Sequence, residues 1–581
     1  MNESSSVTND TWHWYKEVVM SWLEHPGMEE YEGLNLTALK MDQAYMVGTS
    51  DKDVGVYSVS DDCFRCPFEL QKKLSAGTEE SWVVSTTRRS TWRVYTDLTD
   101  SYVTAGNTTG LLCQLRPEVG EFGVYRLNAT SDGCDIRTDR EPVDIYLPLL
   151  LLLGTLLTVW VLYGIMKLIM SKVRRTGKLR YGDKELAIQQ RLRALDTFRG
   201  MAIVFMIFVN DGAGGYWWME HATWNGMVAG DLVFPAFLWI MGVCIPLSVK
   251  SAFAKGIPRW KIVMHIVRRS IMMFLLGMSL NTIYGSNVLQ ELRIFGVLQR
   301  LAVAYLVAAG FYALTAPKFY TPPRGACGQA LKDVLSCLWC WVLAIVLVTV
   351  HSVITFIIHH PDCPPGYLGP GGKHDEWVAP ECSGGAAGFI DRLVLGESHL
   401  YQRSDARNVY GGPPTDPEGL LGCLTSAVQA LIGIQAGATV LLQRSHKARV
   451  SRWLAWALVF ALAGALLAGF SREHGVIPIN KNLWSTSFVL VTSACCLLLL
   501  SFCYTLTDAW RIWNGGPFRS PGLNAIALYV GHSLCAHLFP FHWKIPNMET
   551  HTIKLLEAVW GTALWVIIAH VMAKKKVFIT L

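Results

Sequence analysis

The chain has 581 residues, 51% of them hydrophobic and only 17% charged, with 51 Lys and Arg against 45 Asp and Glu for a net charge of +6. That apolar load excludes an ordinary soluble domain and predicts a polytopic α-helical membrane protein. Six excess positive charges over this length argue for basic loops beside a membrane, and against a nucleic-acid or other polyanion surface.

Residues 1–143 are the polar exception. Alternating runs such as Ser81–Ser85, Thr91–Tyr95 and Gly123–Leu127, separated by turn residues, predict a β-rich domain. Asn-x-Ser/Thr acceptor sites at Asn2, Asn9, Asn35, Asn107 and Asn128 place it on the lumenal side and predict a glycoprotein. Of the 15 cysteines, Cys63, Cys66, Cys113 and Cys134 lie here. Four cysteines allow three pairings, of which Cys63–Cys66 with Cys113–Cys134 is the most economical. A redox role for Cys63-Phe-Arg-Cys66 lacks the βαβ surroundings it would need. The opening MNESSSVTND has neither a basic nor an apolar leader region, so we expect a leader to be missing from this sequence, the other option being a first span that acts as a reverse anchor.

Residues 144–170 read as the first transmembrane helix, and 171–195, with Lys172, Arg174, Arg175, Lys178, Arg180 and Lys184, as a basic cytoplasmic linker. Residues 196–581 then predict ten more helices, at roughly 200–213, 231–249, 262–283, 294–316, 335–358, 417–442, 452–471, 485–507, 521–540 and 554–573. About eleven transmembrane helices put the N-terminus in the lumen and the C-terminus in the cytosol, and the basic clusters around Lys250–Lys261, Arg444–Arg449 and Lys574–Lys576 fall on the cytosolic side as they should. The long lumenal loop 359–417 shows no clear secondary structure and reads as a lid or binding loop, with Cys363 and Cys382 as a further disulfide; Cys337 and Cys340 read as packing.

Polar groups at membrane depth are costly and mark function by default. Asn210, Asp231, His265, Arg268, Arg269, Gln299, Arg300, Lys481, Asn482, Asn524 and His532 together describe a cation-rich path through the bundle. Each taken singly is better explained by inter-helix hydrogen bonding or by snorkelling at a span end. His221 differs, because Tyr216, Trp217, Trp218 and Trp224 surround it in sequence at the lumenal mouth. An imidazole suits general-base or nucleophilic work when a carboxylate fixes its tautomer, and Asp231 and Asp211 are the candidates for that. No P-loop, GxGxxG, HExxH or GxSxG motif is present, and no metal is expected. A transporter of a small anionic solute fits the same polar path, although no inverted repeat is visible.

From about Arg193 onward the chain carries, in order, LDTFRGMAIVFMIFVN, HATWNGMVAGDLVFP, RIFGVLQRLAVAY, GYLGPGG, CSGGAAGFIDRLVLGESHLYQ, DPEGLLG, IPINKNLWS and YVGH. In these ordered motifs it resembles the heparan-alpha-glucosaminide N-acetyltransferase family. The resemblance implies a homodimeric lysosomal membrane enzyme that moves acetyl from cytosolic acetyl-CoA to the amine of a terminal non-reducing glucosamine of heparan sulfate. The family's active-site histidine, in HA[ST]WNG, maps to His221, its helix-ending asparagine to Asn210 and its helix-opening acid to Asp231. Arg199, Arg268, Arg269, Arg300, Trp224 and His532 are then the candidates for holding acetyl-CoA, and the aromatics around His221 for stacking on the sugar or walling the thioester. An O-acyltransferase acting on another sugar would use the same chemistry.

Overall fold

The computed structural model describes residues 30–96, 100–176, 192–318, 328–329, 331–536, 538 and 550–579. The acceptor sites at Asn2 and Asn9, and Lys178, Arg180 and Lys184 of the basic linker, lie outside these residues.

The N-terminal part is a β-sandwich. One sheet orders Gly133–Arg140, Val124–Thr130, Gln43–Ser50 and Glu79–Ser85; the other orders Tyr102–Val103, Phe68–Leu74, Val54–Ser60, Ser90–Tyr95 and Leu111–Leu115. All neighbours are antiparallel except Val124–Thr130 on Gln43–Ser50. Period-two alternation sends Ala44, Met46, Leu127 and Ala129 inward from one sheet and Val54, Val56, Trp92 and Val94 from the other, which is why this polar stretch still closes a core. Disulfides join Cys63–Cys66 and Cys113–Cys134 here, and Cys363–Cys382 in the long loop. Asn35 and Asn107 are exposed, whereas Asn128 is half-buried and accepts from the Thr49 hydroxyl at 2.6 Å.

The remainder is a helical bundle. Among the described residues nine helices are long and apolar enough to cross a bilayer. Two of the eleven expected spans differ. The second is Arg193–Asn210, an 18-residue helix that starts earlier than expected and carries Arg193, Asp196 and Arg199. The tenth is broken: Arg519–Leu523, containing Pro521, stops at Asn524, and Ala525–Leu534 continues for 10 residues. Successive helices alternate in direction. The ends at Asn210, Tyr284, Ile357 and Leu467 and the starts at Leu147, Val233 and His551 share the sandwich face, and the ends at Ala254, Thr315, Leu442 and Lys574 share the opposite face.

Gly422–Leu442 is the central helix, buried along nearly its whole length. It lies against Val233–Ala254 at a glycine crossing: a Cβ on Gly242 would sit 2.1 Å from the Ala430 carbonyl oxygen, and one on Gly433 would sit 2.3 Å from that of Trp239. Two backbones this close need residues without side chains, as is usual where helices pack in lipid.

The long loop is more ordered than expected, because it holds the helices Gly385–Leu395 and Asp405–Tyr410. Both are too short to stand alone and too glycine-flanked to show a clear period, and they are fixed by docking. The Tyr410 hydroxyl donates to the Asp62 carbonyl at 2.9 Å and accepts from Phe64 N at 3.2 Å, tying the loop to the sandwich. Asp391 accepts from Leu420 N at 2.8 Å, and burial, with Asp416 nearby, pushes its carboxyl up to about 7. An unfolded Asp titrates near ~3.9, so the folded state favours the neutral acid, and this stabilisation is lost as pH rises through about 7. The thermal midpoint of the purified protein is therefore expected to fall between pH 5 and pH 7.5, and the fall to be about 2–4 °C smaller in Asp391→Asn, which keeps the acceptor oxygen.

Candidate active site

Asp231 organises the site. It opens the helix that continues through Val233–Ala254, is fully buried, and accepts on Oδ2 from Ala222 N at 3.1 Å and Val228 N at 3.0 Å. The same two bonds fold the loop back on itself and present His221, whose Nδ1 lies 3.0 Å from Asp231 Oδ1. The His221 side chain is 40% exposed, so the imidazole has one nitrogen on a buried carboxylate and the other free for chemistry. Lys481 adds a third group, its Nζ 3.3 Å from the same Oδ1. Asp211, the other carboxylate considered, faces His532 at 3.8 Å instead.

His221 opens on a cavity of about 770 Å³ whose wall includes Asn210, Arg199, Phe234, Phe237, Arg269, Glu418 and Lys481. The wall runs along one helix from Gly230 to Ala252. At ~1.5 Å per residue that is about 33 Å, the depth of a bilayer core. His221, Asn210 and Lys481 lie at the sandwich end. Arg199, with Nη2 3.2 Å from Cys244 Sγ, and Arg269, whose guanidinium stacks 4.8 Å over Tyr305, lie toward the opposite end. Among the described residues the wall holds three Lys and Arg side chains and a single carboxylate, Glu418, in a mostly apolar surface.

The other candidates for holding acetyl-CoA sit elsewhere. Arg268 is exposed on the outer face of its helix. Arg300 is buried beside the cavity wall, donates to the Gly419 carbonyl at 2.9 Å and stacks 5.0 Å over Trp484, so it braces a turn. His532 is buried opposite Asp211. Trp224 is buried among Cys66, Ala406, Tyr410 and Leu483, with Nε1 donating to the Leu368 carbonyl at 2.9 Å. It joins sandwich, loop and bundle. Trp224→Ala is expected to cost about 3–5 kcal/mol of stability, seen as a lower thermal midpoint of the purified protein. Tyr216 and Trp217 are likewise interface residues: Tyr216 stacks on His551 at 4.8 Å, and Arg88 covers Trp217 at 3.5 Å.

Lys481 was named in the sequence only as one polar residue of the path. A bridge between remote segments brings it in. Asn225 and Asn480 form an antiparallel pair, Gly226 N donates to the Ile479 carbonyl at 2.8 Å, and Asn480 Nδ2 donates to Asn225 Oδ1 at 3.0 Å. Among the described residues no group of three or more His, Cys, Asp or Glu side chains could hold a metal ion.

A buried aspartate and a half-exposed histidine at one end of a bilayer-deep cavity, inside a bundle of apolar helices, define a multi-pass membrane protein with a site equipped for acid–base or nucleophilic chemistry. Residues 191–359 match the family model described as heparan-alpha-glucosaminide N-acetyltransferase, catalytic. The chain is 35% identical to the mouse heparan-alpha-glucosaminide N-acetyltransferase over 95% of its own length and 90% of that protein, and 35% identical to the human one over 93% and 88%. It belongs to this family and is an acetyltransferase.

Proposed function

We propose that the protein takes acetyl from acetyl-CoA at the cytosolic face of the lysosomal membrane and delivers it to the amine of a terminal glucosamine of heparan sulfate in the lumen. The observation that carries this reading is the cavity itself, with His221 and Asp231 at the sandwich end and Arg199 and Arg269 toward the other. Acetyl-CoA has a thioester at one end of a long apolar arm and phosphates at the other, a polarity that this wall matches: guanidinium groups suit the phosphates and apolar side chains the arm. The sandwich, bearing Asn35 and Asn107, then faces the lumen. Specificity lies in seating one terminal sugar and not in gripping a polyanion.

With Nδ1 donating to Asp231, the imidazole lone pair is on Nε2. The acceptor enters as an ammonium and sheds one proton to solvent. Its nitrogen then attacks the thioester carbon while Nε2 takes a second proton, the C–S bond breaks, and that proton passes to the CoA sulfur. Asn210, on the same wall, is assigned to the carbonyl oxygen as negative charge develops there. Direct attack by the amine is favoured over an acetyl-imidazole, because an Nε2 that carries the acetyl group is no longer there to take the attacking amine's proton. Rapid exchange of labelled CoA into acetyl-CoA without acceptor would overturn that order of events.

The test is transfer across a sealed membrane. Proteoliposomes with glucosamine inside and acetyl-CoA outside are expected to accumulate N-acetylglucosamine inside and free CoA outside. Entry of intact acetyl-CoA, or of no acetyl at all, would reject the reading in favour of a carrier.

A further inference from the structure

We infer that Lys481 is the third member of the reaction centre beside His221 and Asp231, a positioning residue that holds the Asp231 carboxylate in place to accept from His221 Nδ1 and so keeps the Nε2 lone pair aimed at the reacting groups. The inference rests on the acetyl-transfer reading above.

His221 Nδ1 and Lys481 Nζ converge on one oxygen, Asp231 Oδ1, at 3.0 and 3.3 Å, while two backbone amides occupy Oδ2. The carboxylate is fully buried and the lysine side chain is 14% exposed. A buried anion needs a compensating cation. Lys481 supplies that cation, so the carboxylate stays in place as the acceptor for His221 Nδ1.

The local build is specific to this task. Asn480 is fully buried, pairs with Asn225, and accepts from Leu483 N at 2.8 Å, while Asn482 Nδ2 reaches the Thr223 carbonyl at 3.3 Å. Lys481 sits between two asparagines that are both clamped to the histidine loop, so its stem has little freedom. Glu418, the carboxylate of the cavity wall, is already held by Arg293 at 2.6 Å, which leaves Lys481 to Asp231.

The test uses the full-length protein in nanodiscs, with acetyl-CoA and glucosamine. Lys481→Met is expected to lower kcat about 30- to 100-fold with the KM for acetyl-CoA within about 2-fold of wild type, and Lys481→Arg to recover most of that loss. In an Asp231→Asn background, where no anion needs compensating, the added Lys481→Met change is expected to cost less than about 3-fold. Should Lys481→Met not accumulate as folded, CoA-binding protein, Lys481→Gln carries the same comparison. A kcat for the variant within about 3-fold of wild type, a loss undiminished in the Asp231→Asn background, or a rise in KM in place of a fall in kcat would each overturn the inference while the acetyl-transfer reading stands. A wild-type protein that transfers no acetyl overturns both.

Discussion

His221→Ala is expected to abolish acetyl transfer, lowering kcat by about 10³-fold or more, while the folded variant still binds CoA with wild-type affinity. Both halves follow from where the ring sits. It lines the cavity at the end opposite Arg269, so its loss takes nothing from the groups suited to CoA phosphates. The side chain is 40% exposed and makes its described hydrogen bond to a carboxylate that keeps Lys481 and two backbone amides, so the truncation leaves no buried charge unpaired. His221→Gln fills similar space without a base and should match the alanine variant. Equal kcat in His221→Ala and wild type would remove this residue from the chemistry and make the dyad structural. A loss of CoA binding together with rate would mean that the thioester end of the donor, and not only its phosphates, anchors it. Steady-state kinetics with calorimetric CoA binding on the same preparations separates these outcomes.

How much of this was legible in the sequence divides by the range of the signal. Eighteen or more apolar residues in a row are a local property, and helices duly stand at the places where spans were expected; the departures, at Arg193–Asn210 and at Pro521, occur where charge or proline dilutes the run. Asp231 and His221 were legible as a pair because they lie ten positions apart in one loop. Lys481 was not, because Asn225 and Asn480 meet across 255 positions and no spacing rule reaches that far. Residue type alone does not say where Arg300 and Trp224 point. A guanidinium suits phosphate and an indole suits a sugar or a thioester, but the side chains point into Gly419 and Leu368, and direction is set by packing that a linear pattern does not encode. The two helices of the long loop escaped for the same reason, since their order comes from the sandwich and from the Gly419–Leu420 turn.

A large effect on stability is expected at Arg293, just before the helix Val297–Thr315. Its Nη2 lies 2.6 Å from both Asp416 Oδ1 and Glu418 Oε2, its Nε 2.8 Å from Asp416 Oδ2, and its guanidinium stacks 4.5 Å over Tyr401. Asp416 and Glu418 are both buried, so one guanidinium compensates two carboxylates. Arg293→Met leaves those charges facing each other with no cation in contact. Breaking a buried pair in this way costs about 3–5 kcal/mol, a large part of the 5–15 kcal/mol that holds a typical domain together. The variant should give little folded protein and a sharply lower thermal midpoint. Arg293→Lys, which cannot fork across both acids, should fall between the two. The mechanism makes a further demand: neutralising the acids as well, in Arg293→Met/Asp416→Asn/Glu418→Gln, should recover part of the lost yield even though it removes more polar contacts. If the triple variant is no better than Arg293→Met, the penalty is not unpaired charge but lost packing against Tyr401. The consequence for activity follows from Glu418, the carboxylate of the cavity wall: without Arg293 it loses its described side-chain hydrogen bond, so whatever Arg293→Met protein folds should bind CoA more weakly than wild type while His221 and Asp231 remain hydrogen-bonded.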